Sequence, residues 1–343
     1  MPAYVPQEEM IRRYRSKALD LATAKVLITN FIGTEQEVDL SEPPNCGGFG
    51  RIRHFIRNRY LDWPSNPLPI DPALHALRIE HADQISAQVF QFAACAWRCW
   101  YCFVPYALLN ANGKHASLLS AGELVDLWAI QERRPPMIDL TGGAPELVPE
   151  WTLWMMKELH RRGLDQSTYL WSDDSLSNDL FWTCLTNSDR AFVASYKSYG
   201  RVCCLKGYDD RSFSFNTHAH PEQFALQFDR LKRLVELGLD LYVYVTFTTD
   251  DISNLAITVS QFADRLQRIH ENLPLRVVPL RVVPFTPTLA RLNDTRTLAI
   301  RLQGEVLAEW CRILEYRFPA AMRELSIHSV PLNREVSRNG TSI

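Results

Sequence analysis

The sequence has no apolar run that reaches the roughly 18 residues needed to cross a bilayer, so no membrane-spanning helix and no membrane partner are expected. It also lacks an excess of charge of one sign. Its 37 Lys and Arg stand against 39 Asp and Glu, a formal net charge of -2. That balance argues against whole-chain attraction to nucleic acid or an anionic membrane, although a local basic patch remains compatible with it. The opening residues, MPAYVPQEEMIRRYRSKALDLA, hold no short apolar core and no small-residue cleavage site, so no secretory signal is read and a cytoplasmic setting is expected. Internal repeats and long low-complexity stretches are missing. Nor are the cysteines, at 46, 95, 99, 102, 184, 203, 204 and 311, spread as a disulfide framework would spread them. Three of them fall within eight residues, which favours a metal site in a reducing compartment. In that setting the sequon Asn339-Gly340-Thr341 has no consequence.

What is present is the composition of a globular protein with a sizeable core: 343 residues, 46% hydrophobic and 22% charged. Residues 1–84 read as an N-terminal extension that begins with a helix from Glu8 to about Val26. A Pro/Gly-rich stretch (SEPPNCGGFG), a basic-aromatic run from Arg51 to Tyr60 read as a solvated helix face, and a proline-rich loop complete it. From about 85 to 290, strand-like runs at 87–94, 136–141, 167–172, 190–196, 240–247 and 276–283 alternate with helical periodicity. Ser120 precedes Glu123 by three residues, the spacing of a capping box. Two of the later helices stop at glycines, Gly163 and Gly238. Strands alternating with helices imply parallel pairing and right-handed crossovers. Six units are fewer than the eight of a closed barrel. The expected fold is therefore α/β, a partial (β/α)6 barrel with an N-terminal extension and, over 291–343, a C-terminal helix (Arg296–Phe318) and a polar, mobile tail.

The chemistry-bearing feature is Cys95-Ala-Trp-Arg-Cys99-Trp-Tyr-Cys102, directly after the first predicted strand. Thiolates are soft ligands suited to iron–sulfur clusters and zinc. No fourth cysteine lies nearby, so one coordination position would stay open, the mark of a working metal rather than a scaffold metal. Structural zinc, with His115 as a fourth ligand, and reduced core cysteines are the alternatives. Five rings (Trp97, Trp100, Tyr101, Phe103 and Tyr106) crowd the loop and read first as core packing. Adjacent Cys203 and Cys204 read as small buried hydrophobes.

This C-x3-C-x2-C loop, with Tyr101 just before its last cysteine, resembles the cluster loop of the radical S-adenosylmethionine (SAM) superfamily. The resemblance covers about 85 to 290 and comes nearest to the activating-enzyme-like branch. It implies a [4Fe–4S] cluster on Cys95, Cys99 and Cys102, whose open iron takes the amino and carboxylate groups of SAM. It also implies reductive cleavage of SAM to a 5′-deoxyadenosyl radical, which abstracts hydrogen from a small molecule or peptide. A reductant such as flavodoxin or ferredoxin would supply the electron. Gly142-Gly143 resembles the family's Gly-Gly-Glu-Pro segment beside the SAM amino group, with Ala144 in place of the usual glutamate. Asp173 would meet the ribose hydroxyls, Lys197 after the fourth strand would pair with the SAM carboxylate, and Tyr101 would border the cofactor. His218 and Arg281 are candidates for catalysis at the mouth, near Thr246 and Thr248. A narrower version is a glycyl-radical activase. The competing class is a non-enzymatic, zinc- or cluster-stabilised module that binds nucleic acid through Arg51–Arg59.

Overall fold

The computed structural model describes residues 7–332. The polar tail and its sequon, expected to be mobile, lie outside the described residues. Helix α1 (Gln7–Ala18) leads into strands β1 (Leu19–Asp20), β2 (Lys25–Thr29) and β3 (Gly50–Ile56). Helix α2 (Ile70–Leu77), β4 (Gln84–Gln91), β5 (Ala116–Ser120) and α3 (Ala121–Ala129) follow. Then come β6 (Met137–Thr141), α4 (Pro149–Arg161), β7 (Tyr169–Asp174), α5 (Leu180–Cys184), α6 (Asn187–Ser195) and β8 (Tyr199–Leu205). The last part holds α7 (Asp210–Thr217), α8 (Glu222–Glu236), β9 (Leu241–Thr246), α9 (Leu255–Ile269), β10 (Val277–Leu280), α10 (Thr286–Leu289) and α11 (Asp294–Arg317).

Seven strands form the main sheet in the order β10-β9-β8-β7-β6-β4-β3. The six from β4 to β10 pair in parallel, and β3 joins β4 antiparallel from Gly50↔Phe90 to Ile56↔Gln84. This is the expected partial (β/α)6 barrel, with one added edge strand from the extension. Strands β1, β2 and β5 make a separate three-stranded antiparallel sheet.

Side chains two apart share a face of a strand, and the sheet is sorted accordingly. Met137, Tyr169, Trp171, Val202, Cys204, Tyr242 and Tyr244 point to the concave side, where Ile70, Ala73 and Leu74 of α2 fill the lower end. Leu140, Leu170, Cys203, Leu205, Val243 and Val245 join the outer core under the helices. With both faces covered, the strands read as near-continuous apolar runs. Among the described residues no helix is long and apolar enough to cross a membrane.

Three expectations are corrected. The helix expected to Val26 ends at Ala18, because β-branched Val26, Ile28 and Thr29 go to a strand paired with β5. The Arg51–Tyr60 run is no solvated helix face: its alternation RIRHFI puts Arg51, Arg53 and Phe55 on one side of β3. The run expected to be the fourth strand, 190–196, falls mainly in α6, whose start is fixed by a capping box between Thr186 and Asp189. The fourth parallel strand is β8, which carries the two adjacent cysteines. Helix α11 packs on α9, with Trp310 against Phe262 at a ring separation of 5.5 Å.

Candidate active site

Cys95, Cys99 and Cys102 lie on the loop that leaves the C-terminal end of β4, the first parallel strand. All three are free thiols; Cys95 and Cys99 are buried and Cys102 half-buried. The loop is tied down along its length. Cys95 N donates to Leu109 O at 3.1 Å, Arg98 N to Thr217 O at 3.3 Å and Trp100 N to Asn216 O at 3.1 Å. Arg98 Nη1 donates back to the carbonyls of Cys95 (2.6 Å) and Trp97 (2.9 Å). Tyr106 Oη donates to the carbonyls of Arg98 and Cys99. From the far end of the chain, Arg291 donates to Cys102 O at 2.7 Å and to Val104 O at 3.0 Å. Trp97 and Trp100 are fully buried, so the aromatic crowd is largely core, as expected.

Burial pushes all three thiols up, Cys99 to about 11. Cys99 and then Cys102 raise Cys95 further. Among the described residues no three His, Cys, Asp or Glu side chains are gathered to hold a single metal ion. A four-iron cluster asks for separate thiolates, each on its own iron, and three soft thiols on one loop, two buried and one half-buried, fit that requirement.

Gly142 and Gly143 turn the chain out of β6 at φ of +63° and +75°. Gly142 meets the Gln91 side chain, while Gly143 meets the start of the cysteine loop: a Cβ on Gly143 would stand 2.3 Å from Phe92 O and 2.5 Å from Ala94 O. Ala144 N donates to Ala94 O at 2.7 Å. Gly163 has a similar φ of +67° with nothing within 4 Å of its virtual Cβ. Gly143→Ala is therefore expected to destabilise the apoprotein by more than about 2 kcal/mol, while Gly163→Ala costs only the ~1 kcal/mol of left-handed backbone strain. Anaerobic urea unfolding of the two variants compares them; equal losses would contradict the close packing.

The concave face above Trp171 is polar. Asp173, at the end of β7, accepts a short hydrogen bond from Thr141 Oγ1. Lys206, one residue beyond β8 and in step with inward-facing Val202 and Cys204, is a cation of this region. Burial works against its charge, but Cys204, Tyr101, Cys99 and Cys95 hold it well protonated. Tyr101 Oη accepts from Thr246 Oγ1 at 3.0 Å, tying the cysteine loop to the end of β9. Deeper in, Asp139 is fully buried, both its oxygens lack a hydrogen-bond partner among the described residues, and Arg53 Nη1 stands 3.7 Å away. Burial, then Asp173, raises its carboxyl from 3.8 to about 8. The folded state thus holds this proton more tightly than the unfolded chain. The stability it confers is complete below pH 3.8 and is lost as pH rises towards 8. Asp139→Asn is expected to match the parent at pH 4 and exceed it at pH 8 by on the order of a few kcal/mol. Denaturant titrations at the two pH values read the difference, and a pH-independent gap would contradict the assignment.

Lys197 is not part of this group. It precedes β8 instead of following a strand, and it lines a cavity of about 1030 Å³ with Pro72, His75, Asp240 and His328 at the opposite, N-terminal end of the strands. The lysine in the position expected of Lys197 is Lys206. The sequence signal for it was Leu205-Lys206 closing the apolar run YGRVCCL. His218 ends α7 at φ +58°, with Nε2 3.1 Å from Arg296 Nη2, so it faces α11. Burial and then Arg296 lower its pKa. Arg281 follows β10 and forms a two-pronged ion pair with Asp62, its guanidinium over the Tyr60 ring. Thr248 Oγ1 donates to Asn216 Oδ1 behind Trp100. Glu146, just past the Gly142-Gly143 turn, is buried and accepts from Ser175 and Ser177. In the Arg51–Arg59 run, Arg51 is buried, Arg53 points to Asp139, and Arg57 pairs with Asp71 and Asp83. The run offers no continuous basic surface for nucleic acid.

No family model and no curated protein matches the chain. Among solved structures it is similar to Streptococcus suis SuiB bound to S-adenosylmethionine, with a TM-score of 0.45 and 13% identity over 65% of this chain and 46% of that one. It is also similar to tagged anSMEcpe with bound AdoMet, with a TM-score of 0.39 and 11% identity over 56% of this chain and 48% of that one. The chain spans less than half the length of these solved chains, and both are partial likenesses at low identity.

Proposed function

We propose that the protein is a radical SAM enzyme with one [4Fe–4S] cluster on Cys95, Cys99 and Cys102. The observation that carries this reading is three free thiols, two buried and one half-buried, in C-x3-C-x2-C spacing on one braced loop at the C-terminal end of the first parallel strand of a partial barrel. When bound, the cluster supplies the electron that cleaves SAM to methionine and a 5′-deoxyadenosyl radical.

The chain's own residues bind, orient and shield. Lys206 presents a half-buried cation to the SAM carboxylate, as a compact point charge does well. Asp173 offers its carboxylate to the ribose hydroxyls while Thr141 fixes its orientation. Tyr101 and the fully buried Trp97 and Trp100 exclude water from the space next to the thiols. Gly143 sets the β6–α4 turn hard against the start of the cysteine loop, and Gly142 sets it against Gln91. The substrate is a small molecule. The mouth cleft beside the loop, about 310 Å³, is at the lower end of small-molecule sites, roughly 300–1,000 Å³. A one-electron reductant is the remaining partner.

The test is anaerobic reconstitution with iron and sulfide. About four irons per chain, a brown colour bleached by dithionite, and 5′-deoxyadenosine formed from SAM are expected. A colourless protein saturated by one zinc ion would overturn the reading.

A further inference from the structure

The strand that the extension adds to the barrel carries arginines into its interior. Because β3 pairs with β4 in register, Arg51 lies opposite Val89, and Val89 lies opposite Asp139 on β6. Arg51, Val89 and Asp139 thus form one row across three strands. Arg51 is only 8% exposed. Its Nε is buried without a hydrogen-bond partner among the described residues, and its guanidinium sits 5.7 Å from the centre of the Phe103 ring. Arg53, two residues on and on the same face, stacks over Phe55 at 4.2 Å and reaches towards Asp139. Both arginines open on the 310 Å³ cleft, whose walls include Arg59, Phe103 and Phe285. Among the described residues the cleft wall has one carboxylate, Asp39; its Oδ1 accepts from Thr286 Oγ1 at 2.9 Å, and its Oδ2 is buried without a hydrogen-bond partner.

Burying a guanidinium without hydrogen bonds is costly, and burial is compensated when an oxyanion is supplied. The fork of arginine matches a carboxylate or phosphate with two parallel hydrogen bonds. Phe103 directly follows Cys102, so the cleft adjoins the cysteine loop, and Phe103 and Phe285 (ring centres 6.1 Å apart) give it an apolar wall. None of Tyr101, Gly142, Gly143, Asp173 and Lys206 lines it.

We propose that this cleft is an oxyanion subsite, in which Arg51 and Arg53 hold the phosphate or carboxylate of a small substrate whose body lies against Phe103 and Phe285. That the anion belongs to the substrate rests on the reading of the barrel as a radical SAM enzyme; that an anion binds there does not. The N-terminal extension then has a defined role, since it brings the groups that select the substrate.

The experiment is isothermal titration of the reconstituted full chain with inorganic phosphate, pyrophosphate and glutarate, with and without SAM. At least one anion is expected to bind saturably. Arg51→Gln and Arg53→Gln are expected to weaken it at least about tenfold, the size of one charge-assisted hydrogen bond. Arg51→Lys should retain part of the affinity, and the exposed Arg133→Gln all of it. Tighter pyrophosphate binding assigns a phosphate substrate, and tighter glutarate binding a carboxylate; either result supports the subsite. Should Arg51→Gln fail to fold, Arg53→Gln, at a part-exposed position, decides the question. The proposal is overturned by no saturable binding, by unchanged affinity in the glutamine variants, or by full competition from SAM, which would give the arginines to the cofactor. Formation of 5′-deoxyadenosine by the unaltered protein is measured in parallel. Its absence would sink the proposed function while leaving anion binding to be judged on its own.

Discussion

Cys99→Ala protein is expected to emerge from anaerobic reconstitution nearly colourless and to form 5′-deoxyadenosine more than about 100-fold more slowly than the parent. Removing a residue that merely supports a metal ligand costs roughly 10–100-fold, and removing a ligand costs more. The loop around Cys99 should survive the change. Its carbonyl stays bonded to Tyr106, and the flanking backbone is anchored to α7 at Thr217 and Asn216. Cys203→Ala is the matched control. Cys203 is fully buried and lies on β8, outside the cysteine loop. It should keep its full iron content and colour. Equal iron in Cys99→Ala and the parent would exclude this thiol as a ligand.

The second large effect separates two lysines. Lys206→Ala is expected to weaken SAM binding by roughly 10- to 150-fold, the equivalent of about 1.5–3 kcal/mol for a hydrogen bond to a charged group. Lys197→Ala should leave it unchanged, since Lys197 lines the cavity at the other end of the strands. Equilibrium dialysis of labelled SAM against each reconstituted variant measures both. A loss in Lys197→Ala, or none in Lys206→Ala, would return the carboxylate to the position first expected from the sequence.

That reassignment shows where the sequence was legible and where it was not. The cysteine loop is local: three ligands within eight residues announce themselves without any tertiary information. Five of the six parallel strands stand out because a strand covered on both sides is an apolar run with few competitors. The fourth fails on a contest between two neighbouring apolar runs. RAFVASY is dense in apolar residues, yet Thr186 and Asp189 cap it as a helix, and that capping box is readable in the sequence. Choosing the wrong run displaced the lysine as well. The arginines of β3 fail for a different reason. Charged residues in alternation with Ile52 and His54 suggest a wetted surface, and only pairing with the distant strand β4 turns them inward. Such non-local pairing overrides propensity and leaves no trace in a short window.

The contacts made by residues 60–63 have a bearing on how the molecule behaves at high concentration. Trp63 Nε1 donates to the Pro279 carbonyl at 3.0 Å, and Asp62 engages Arg281 just past the same strand. Pro279 has no N–H to offer, so this rim of the sheet loses a donor to its ring and an acceptor to the indole. A strand rim stripped in this way is a poor template for another chain. The segment that fastens the extension across the barrel therefore also guards the protein against zipping edge to edge with its own copies.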